Sequence, residues 1–435
     1  MFTYYKGITG FLILTIIMSC STPKKVTAPV AEAVVTKPLP VENNDDLFFT
    51  DLFKNYPGIM DSVLVHKNEW NVQIIYTEIN RDKNGKPILT DHYFNRRNAK
   101  YFYPASTVKL PVALLALEKL NELNIKGLNK YSTMVTGAAF SGQTSVYNDP
   151  NTIDGKPSVA QYIKKILLVS DNDAYNRLYE FLGQEHINAA MIKKGYAGTQ
   201  LLHRLSIFLS EEENRRTNPV NFLDSNNQLL FSKPLLYNRQ AYTKRNDKIG
   251  KGYYSNGKLI AAPMDFSSKN KIELTSLHQV LVSLIFPEAV NASQRFNISA
   301  DDRRFMLQYM SQYPAESVYP YYDSTYYDAY VKFLLYGSEN GKAPANIRIF
   351  NKVGNAYGQL IDVAYIVDFE KNIEFMVSAA IYCNTDEILN DDKYDYDSIG
   401  YPFLKNLGKI LYDYELKRKR NYTPDLSPFR FKYDR

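Results

Sequence analysis

The sequence predicts a mixed α/β (α+β) protein whose antiparallel sheet is formed by both ends of the chain, flanked by helices, with a mostly helical subdomain. Two observations predict this class. Strand-like runs lie near the start of the globular part and again near its end, while helix-forming runs occupy the middle. This order favours one sheet shared by the two ends. The chain of 435 residues is 45% hydrophobic, which is enough for one large core or two modest ones.

The individual elements follow from hydrophobic periodicity and turn residues. Alternation over 71–77 predicts a strand, and 92–95 is its hairpin partner across the turn signals of 82–87. Helical periodicity predicts helices over 51–65, 106–121, 158–182 (as helix–loop–helix), 272–286, 300–313 and 401–416. Further strands are predicted at 348–353, 359–368 and 373–382. The polar stretch 214–272 is expected to be an elaborated loop or a small subdomain.

The first 20 residues are typical of an export signal, with a basic residue before a short apolar run. They end in Ile-Met-Ser-Cys20, which resembles the lipobox of bacterial lipoproteins. That resemblance implies a lipid on Cys20, attachment to a membrane of the bacterial cell envelope, and a body outside the cytoplasm. The alternative is a chance cysteine beside a membrane anchor. The proline-rich residues 21–45 predict a disordered tether, and the globular domain is expected over 46–416.

Charge and cysteine content limit the partners. Residues 417–435 hold seven basic and two acidic side chains, so five of the six net positive charges lie there. The rest of the chain is nearly neutral, which gives no support to a nucleic-acid-binding body, so no nucleic-acid partner is expected. This basic C-terminal tail is expected to be solvated, with contact to an anionic lipid or polymer as the alternative. Besides Cys20 the chain has only Cys383, expected to be a core thiol, and no Cys/His cluster has zinc spacing. Neither a metal nor another cofactor is therefore expected, and the protein is expected to be a monomer.

The most informative motif is Ser106-Thr107-Val108-Lys109, which opens an apolar helix-forming run. Residues at i and i+3 share one helix face, so Lys109 can serve as the base that a serine nucleophile needs. The first helical turn also favours negative charge developing at Ser106. Other S-x-x-K copies begin at Ser21, Ser255 and Ser268, but only this copy combines a helix start with the two motifs that follow.

Two further motifs follow in order. Ser170-Asp171-Asn172 is the only S-D-N in the chain and lies between two predicted helices, and Lys352-Val353-Gly354 lies on a predicted strand. Together with the first motif they resemble the class A β-lactamase and penicillin-binding-protein superfamily of serine enzymes. The resemblance covers about 46–416 and implies the β-lactamase/transpeptidase-like fold. It also implies an acyl-enzyme formed with a β-lactam or a D-Ala-D-Ala-type cell-wall peptide.

The resemblance also implies a role for each matching residue. Ser106 would be the acylated nucleophile, Lys109 its base or proton relay, and Ser170 the proton shuttle to the leaving nitrogen. Asn172 would contact the substrate and Lys109, and Lys352 would bind the substrate carboxylate. The oxyanion hole would be the backbone N–H groups of Ser106 and Asn355, with Gly354 letting the backbone approach the ligand.

Two positions depart from the superfamily pattern. Val353 replaces the usual threonine or serine and removes a hydroxyl contact to the substrate carboxylate. If Arg204 is the loop arginine, Ser206 occupies the place of the glutamate that activates the deacylating water. Three interpretations stay open: slow release of the acyl group, a true β-lactamase that uses one of Glu211–Glu213, or a binding and sensing lipoprotein without turnover.

Overall fold

The computed structural model describes residues 47–97, 100–140 and 142–435. The predicted signal segment, Cys20 and the whole predicted tether lie outside these ranges. Within the ranges, no helix combines the length and apolar character that crossing a bilayer requires.

The α-helices are α1 (Leu47–Lys54), α2 (Asp61–His66), α3 (Lys109–Leu123), α4 (Val159–Val169), α5 (Asn172–Leu182), α6 (Gln184–Lys193), α7 (Glu211–Asn214), α8 (Leu274–Ile285), α9 (Ala300–Ser311) and α10 (Tyr401–Lys417). Short 3₁₀ helices span Ala105–Val108, Pro287–Ala289, Ala292–Gln294, Pro314–Glu316 and Ser427–Phe429, and a π-helical turn spans Tyr396–Gly400.

The strands are β1 (Gln73–Arg81), β2 (Pro87–Phe94), β3 (Thr133–Thr136), β4 (Arg216–Thr217), β5 (Val220–Leu223), β6 (Leu229–Lys233), β7 (Leu236–Tyr237), β8 (Lys248–Ile249), β9 (Gly252–Ser255), β10 (Lys258–Ile260), β11 (Met264–Asp265), β12 (Ile347–Ala356), β13 (Gln359–Asp368), β14 (Ile373–Tyr382) and β15 (Ile388–Leu389).

The main sheet is built from both ends of the described chain, as predicted. Its five strands lie in the order β12-β13-β14-β1-β2, and all neighbours are antiparallel. The first and last parts of the chain join where β1 pairs with β14, with Gln73 opposite Ala380. Helices α3 and α8 pack on one face of the sheet, and α1 and α10 pack on the other. Strand β13 is buried along its whole length, as expected for a central strand covered on both faces.

Most helices and strands predicted from the sequence are present in the structure, with local differences. The single helix predicted over 51–65 is wrong, because Pro57 and Gly58, the latter at φ +80°, separate α1 from α2. The helix predicted from Ser106 begins as a 3₁₀ turn and becomes α-helical only at Lys109. Cys383 is fully buried, as predicted, and burial raises the pKa of its thiol.

The C-terminal segment 417–435 packs onto the domain, so the expectation of a solvated tail is wrong. Leu426 and Phe429 are 5% and 4% exposed. The Phe429 ring lies 4.8 Å from the Tyr365 ring of the main sheet. Arg418 pairs with buried Glu415 at 2.8 Å. The basic composition of the segment gave no sign that Leu426 and Phe429 are buried or that Arg418 pairs with a buried carboxylate.

The stretch 214–272 forms short paired strands and is therefore a small subdomain. β5 pairs with β6 and β3, β4 with β7, β8 with β11, and β9 with β10. β15 pairs in parallel with β9, which ties this subdomain to the loop after the main sheet. Phe266, at the end of the subdomain, packs with Tyr103, Ala105 and Leu389 in a separate apolar cluster.

Candidate active site

The backbone around Ser106 is held in an unusual conformation. Ala105 has φ +47°, a left-handed value that costs a residue with a Cβ about 1–2 kcal/mol. The turn that follows is fixed by Thr107, whose N–H and Oγ1 both donate to Pro104 O, over 3.1 and 2.6 Å. The methyl group of Ala105 is buried in the cluster with Phe266 and Leu389. Strain and packing together fix Ser106 at the wall of a cavity.

The Ser170-Asp171-Asn172 motif forms the junction between α4 and α5. Ser170 ends α4 in the left-handed region, at φ +61°. Asp171 caps α5 by accepting a hydrogen bond from Ala174 N over 2.8 Å. Asn172 is the first residue of α5. One motif therefore ends a helix, starts the next, and directs two polar side chains towards the cavity.

Lys109 and Lys352 meet at the hydroxyl of Ser170. Lys352 Nζ lies 2.8 Å from Ser170 Oγ, and Lys109 Nζ lies 3.3 Å from the same oxygen. Lys109 also donates to Asn172 Oδ1 over 2.7 Å and to the carbonyl oxygen of Ser170. A hydroxyl can accept from one amine and donate to the other. This geometry provides a proton path between the two lysines through Ser170.

Burial controls the protonation of both lysines. It lowers the pKa of Lys109 well below its ordinary value; neighbouring Lys352 lowers it further, and Asp171 acts in the opposite direction. Burial lowers the pKa of Lys352 to about 7, while Asp362 raises it and Lys332 lowers it. A neutral lysine amine has the lone pair that a general base requires. The lowered pKa of Lys109 therefore favours the neutral amine one turn after Ser106.

Gly354 brings β12 against the nucleophile turn. A Cβ at this position would lie 2.8 Å from Pro104 O and 3.0 Å from Ser106 N. Only glycine permits this approach without displacement of one backbone or the other. Asn355 follows directly and lines the same cavity as Ser106. The backbone positions expected to form the oxyanion hole are thus brought together at the cavity wall.

The cavity has a volume of about 670 Å³. Ser106, Ser170, Asn172 and Ser206 are among the residues that line it. The wall also carries a set of aromatic side chains: Tyr103, Tyr327, Tyr330, Phe333, Tyr357, Tyr394 and Tyr401. The sequence motifs did not indicate these residues; the high tyrosine content, 36 in the chain, was the only signal.

The region expected to hold a deacylating glutamate has a serine at the cavity. Ser206 lines the cavity and accepts a hydrogen bond from Asn172 Nδ2 over 2.8 Å. Glu212 binds Arg216 and Tyr237, and Glu213 caps α7 through Ser210. Glu211 pairs with Arg215 at 3.8 Å. These three carboxylates are engaged within their own loop and are absent from the cavity lining.

Arg204 holds the loop that carries Ser206 against α5. It forms a fully buried ion pair with Glu180 of α5, at 2.6 Å. The other carboxylate oxygen of Glu180 accepts the backbone N–H of Asn218. The arginine highlighted by the sequence is thus structural, and its partner Glu180 carried no motif. The pair fixes both ends of the loop that presents Ser206.

One family of known proteins matches part of the chain. The family model of the beta-lactamase enzyme family matches residues 62–249, which include Ser106, Lys109, Ser170 and Asn172. Among curated proteins, no sequence matches this chain. The family match supports the resemblance to the class A β-lactamase-like serine hydrolase superfamily over residues 62–249, and the Lys352-Val353-Gly354 motif lies outside the matched residues.

Several solved structures are distantly similar. A beta lactamase from Xanthomonas campestris pv. campestris is 12% identical, with 85% of this chain and 100% of that chain covered and a TM-score of 0.45. A class A beta-lactamase from Clostridium kluyveri is 13% identical, with 85% and 99% covered and a TM-score of 0.45. A beta-lactamase from Desulfarculus baarsii is 14% identical, with 83% and 97% covered and a TM-score of 0.44.

Proposed function

We propose that this protein is a serine hydrolase that forms an acyl-enzyme on Ser106 with a β-lactam or a D-Ala-D-Ala-type peptide. One observation carries the proposal. The Ser170 hydroxyl lies 2.8 Å from Lys352 Nζ and 3.3 Å from Lys109 Nζ, in the cavity that Ser106 also lines. A serine, a neutral amine and a proton-passing hydroxyl are the groups that amide acylation needs.

We propose the following acylation step. Lys109 takes the proton of Ser106 Oγ as this oxygen bonds to the substrate carbonyl carbon. The negative charge that develops on the carbonyl oxygen faces the backbone N–H groups of Ser106 and Asn355. The C–N bond then breaks, and the leaving nitrogen receives a proton from Lys109 through Ser170. With a peptide the product is an ester on Ser106 and a released amine, whereas with a β-lactam the ring opens and the amine stays attached to the ester.

We propose further that the acyl group leaves slowly. Hydrolysis of the ester requires a base that removes a proton from water, and a neutral hydroxyl is a poor base. Ser206 occupies the cavity position beside Asn172, and Glu211–Glu213 are engaged elsewhere. These contacts favour a persistent adduct, as in penicillin-binding proteins, over the rapid turnover of a β-lactamase.

A labelling and turnover experiment tests the proposal. The full-length chain is incubated with a fluorescent penicillin and, separately, with a chromogenic cephalosporin. Ser106→Ala removes the nucleophile. Ser255→Ala is the matched control, because Ser255 also begins an S-x-x-K sequence but lies on the exposed strand β9.

The expected result is a stable covalent adduct in the wild type and in Ser255→Ala, absent in Ser106→Ala, with little colour development. Rapid Ser106-dependent turnover would refute slow release and support a true β-lactamase. Absence of any Ser106-dependent adduct or turnover with β-lactams and with a D-Ala-D-Ala peptide would overturn the acyl-enzyme proposal and leave a binding role.

We also propose that the protein is anchored to a membrane of the bacterial cell envelope by a lipid on Cys20. The lipobox resemblance of the sequence ending at Cys20 supports this. Incorporation of a labelled fatty acid in the expressing bacterium tests it. Label is expected in the wild type and lost in Cys20→Ala, and equal labelling of both would refute the anchor.

A further inference from the structure

A network of three buried polar side chains lies behind Lys352. Lys332, Asn351 and Asp362 are each at most 2% exposed. Lys332 Nζ donates to Asn351 Oδ1 over 2.6 Å, and Asn351 Nδ2 donates to Asp362 Oδ1 over 2.8 Å. Buried polar groups persist in a fold when their hydrogen bonds are satisfied, as these are. We call these three residues the Lys332 network.

The network holds residues 330–334, the wall segment, against the main sheet. Asn351 Nδ2 donates to Val331 O over 2.9 Å. Asp362 Oδ2 accepts the N–H groups of Phe333 and Leu334, over 3.2 and 3.0 Å. Because the wall segment has no regular secondary structure, these side chains provide the hydrogen bonds that a sheet ladder would otherwise supply.

Lys332 adds a second set of hydrogen bonds. Its Nζ donates to Met310 O over 2.6 Å and to Ile349 O over 3.0 Å, in addition to Asn351. The ammonium group thus joins α9, β12 and the wall segment at one point. Tyr330 and Phe333 of that segment line the active-site cavity.

The same residues also fix the strand that carries Lys352. Asn351 precedes Lys352 on β12, and Asp362 on β13 is paired with Val353. Because side chains alternate along a strand, Asn351 and Asp362 lie on one face of the sheet and Lys352 on the other. The network therefore holds β12 on one face of the sheet. On the opposite face, at the same position along the strand, Lys352 contacts Ser170.

We propose that Lys332, Asn351 and Asp362 are positioning residues for Lys352, setting both its placement and the charge that surrounds it. This inference rests on the proposed function, in which Lys352 binds the substrate carboxylate. None of the three lines the cavity, so they act on the reaction only through Lys352 and the wall segment.

Charged groups approach Lys352 from several elements, and they act in opposite directions. Asp362 of β13 and Lys332 of the wall segment act on Lys352 from the opposite face of the sheet, while Lys109 of α3 lies on the same side as Lys352, with Asp171 beside it at the start of α5. Asp362 raises the pKa of Lys352 and Lys332 lowers it. Removing either charge from the network must therefore move the titration of Lys352, and the two removals must move it in opposite directions.

The test measures this opposition directly. Lysine side-chain resonances of the full-length protein are followed by NMR against pH, and Lys352 is assigned with Lys352→Arg. Asp362→Asn is expected to lower the Lys352 midpoint by about one pH unit, and Lys332→Met to raise it. Glu118→Gln is the matched control, since it breaks the buried Lys194–Glu118 pair, 2.7 Å long, outside the cavity lining.

Opposite shifts in Asp362→Asn and Lys332→Met, with no shift in Glu118→Gln, would support the proposal. An unchanged Lys352 midpoint in both network variants would overturn it, whatever their loss of thermal stability. If Asp362→Asn does not fold, the upward shift in Lys332→Met alone decides. The measurement needs no substrate, so failure of the proposed acylation would show as absence of wild-type labelling while the NMR result still stands.

With penicillin labelling established, kinetics supply the second measurement. Asp362→Asn is expected to weaken half-saturation by a carboxylate-bearing penicillin about tenfold at pH 8, with acylation at saturation changed less. An equal loss in both parameters that Glu118→Gln reproduces would mean a structural role alone and would overturn the positioning assignment.

Discussion

Asn172 donates a hydrogen bond from Nδ2 to Oγ of Ser206 over 2.8 Å, while its Oδ1 accepts from Lys109 over 2.7 Å. One amide thus joins the expected base of acylation to the position from which a deacylating base would act. Ser206 occupies that position but cannot act as the base, because a hydroxyl does not hold the negative charge that activates water at neutral pH.

Replacing Ser206 by glutamate is expected to make the persistent adduct on Ser106 hydrolyse rapidly. A carboxylate beside Asn172 would activate water next to the acyl-ester, and general-base catalysis contributes about 100-fold or more. The decay of the fluorescent penicillin adduct measures the effect. Ser206→Gln matches the size and lacks the base, so equal decay rates for the two variants would contradict the prediction.

Gly354→Ala is expected to slow acylation by about 100-fold, the typical effect of losing one oxyanion donor. The new Cβ would lie 3.0 Å from Ser106 N and 2.8 Å from Pro104 O, so β12 or the nucleophile turn must move. The rate of penicillin labelling provides the measurement. Gly198→Ala is the control, because its Cβ meets only the flexible end of Glu273. Labelling of Gly354→Ala at the wild-type rate would refute the close approach.

Binding of a carboxylate-bearing penicillin is expected to weaken as pH rises through about 7, the pKa to which burial lowers Lys352. Below this pH the amine is charged and attracts the carboxylate, and above it the amine is neutral. Half-saturation is expected to rise about tenfold between about pH 6 and about pH 8. Lys352→Arg keeps its charge throughout, so its profile should be flat. A similar rise in that variant would assign the pH dependence to another group.

Phe429→Ala is expected to lower the free energy of unfolding by about 3–5 kcal/mol, the usual loss for a buried phenylalanine. Its ring is 4% exposed and lies 4.8 Å from the Tyr365 ring of the main sheet. Urea denaturation measures the change. Phe208→Ala is the control, since Phe208 is fully exposed and its loss should cost about 0.5 kcal/mol or less. Equal effects would mean that the C-terminal segment does not stabilise the domain.

The sequence predicted the main sheet and the three active-site motifs because their signals are local. Alternation marks strands, and serine–lysine spacing marks one helical turn. The helix–loop–helix around Ser170 carries the same kind of signal. The break between α1 and α2 is also encoded locally, in Pro57-Gly58, although helical periodicity continues on both sides of it.

The missed features depend on long-range packing. Lys332 lies in a segment without periodicity, and its acceptors come from residues up to 22 positions away. Phe429 follows a run of basic residues whose charge masks its burial. Glu180 becomes recognisable only once Arg204 is folded against it. Contacts of this kind have no fixed spacing, so a single sequence does not indicate them.

Ala105 packs in one apolar cluster with Phe266 and Leu389. The left-handed backbone before the nucleophile is supported by Phe266, which belongs to the stretch 214–272. The subdomain and the nucleophile therefore form one mechanical unit, and a protein that shed residues 245–266 would keep every motif in order yet lose the support of the turn that aims Ser106. Recognition by motif alone would rank two such proteins as equals, while their reactivities would differ.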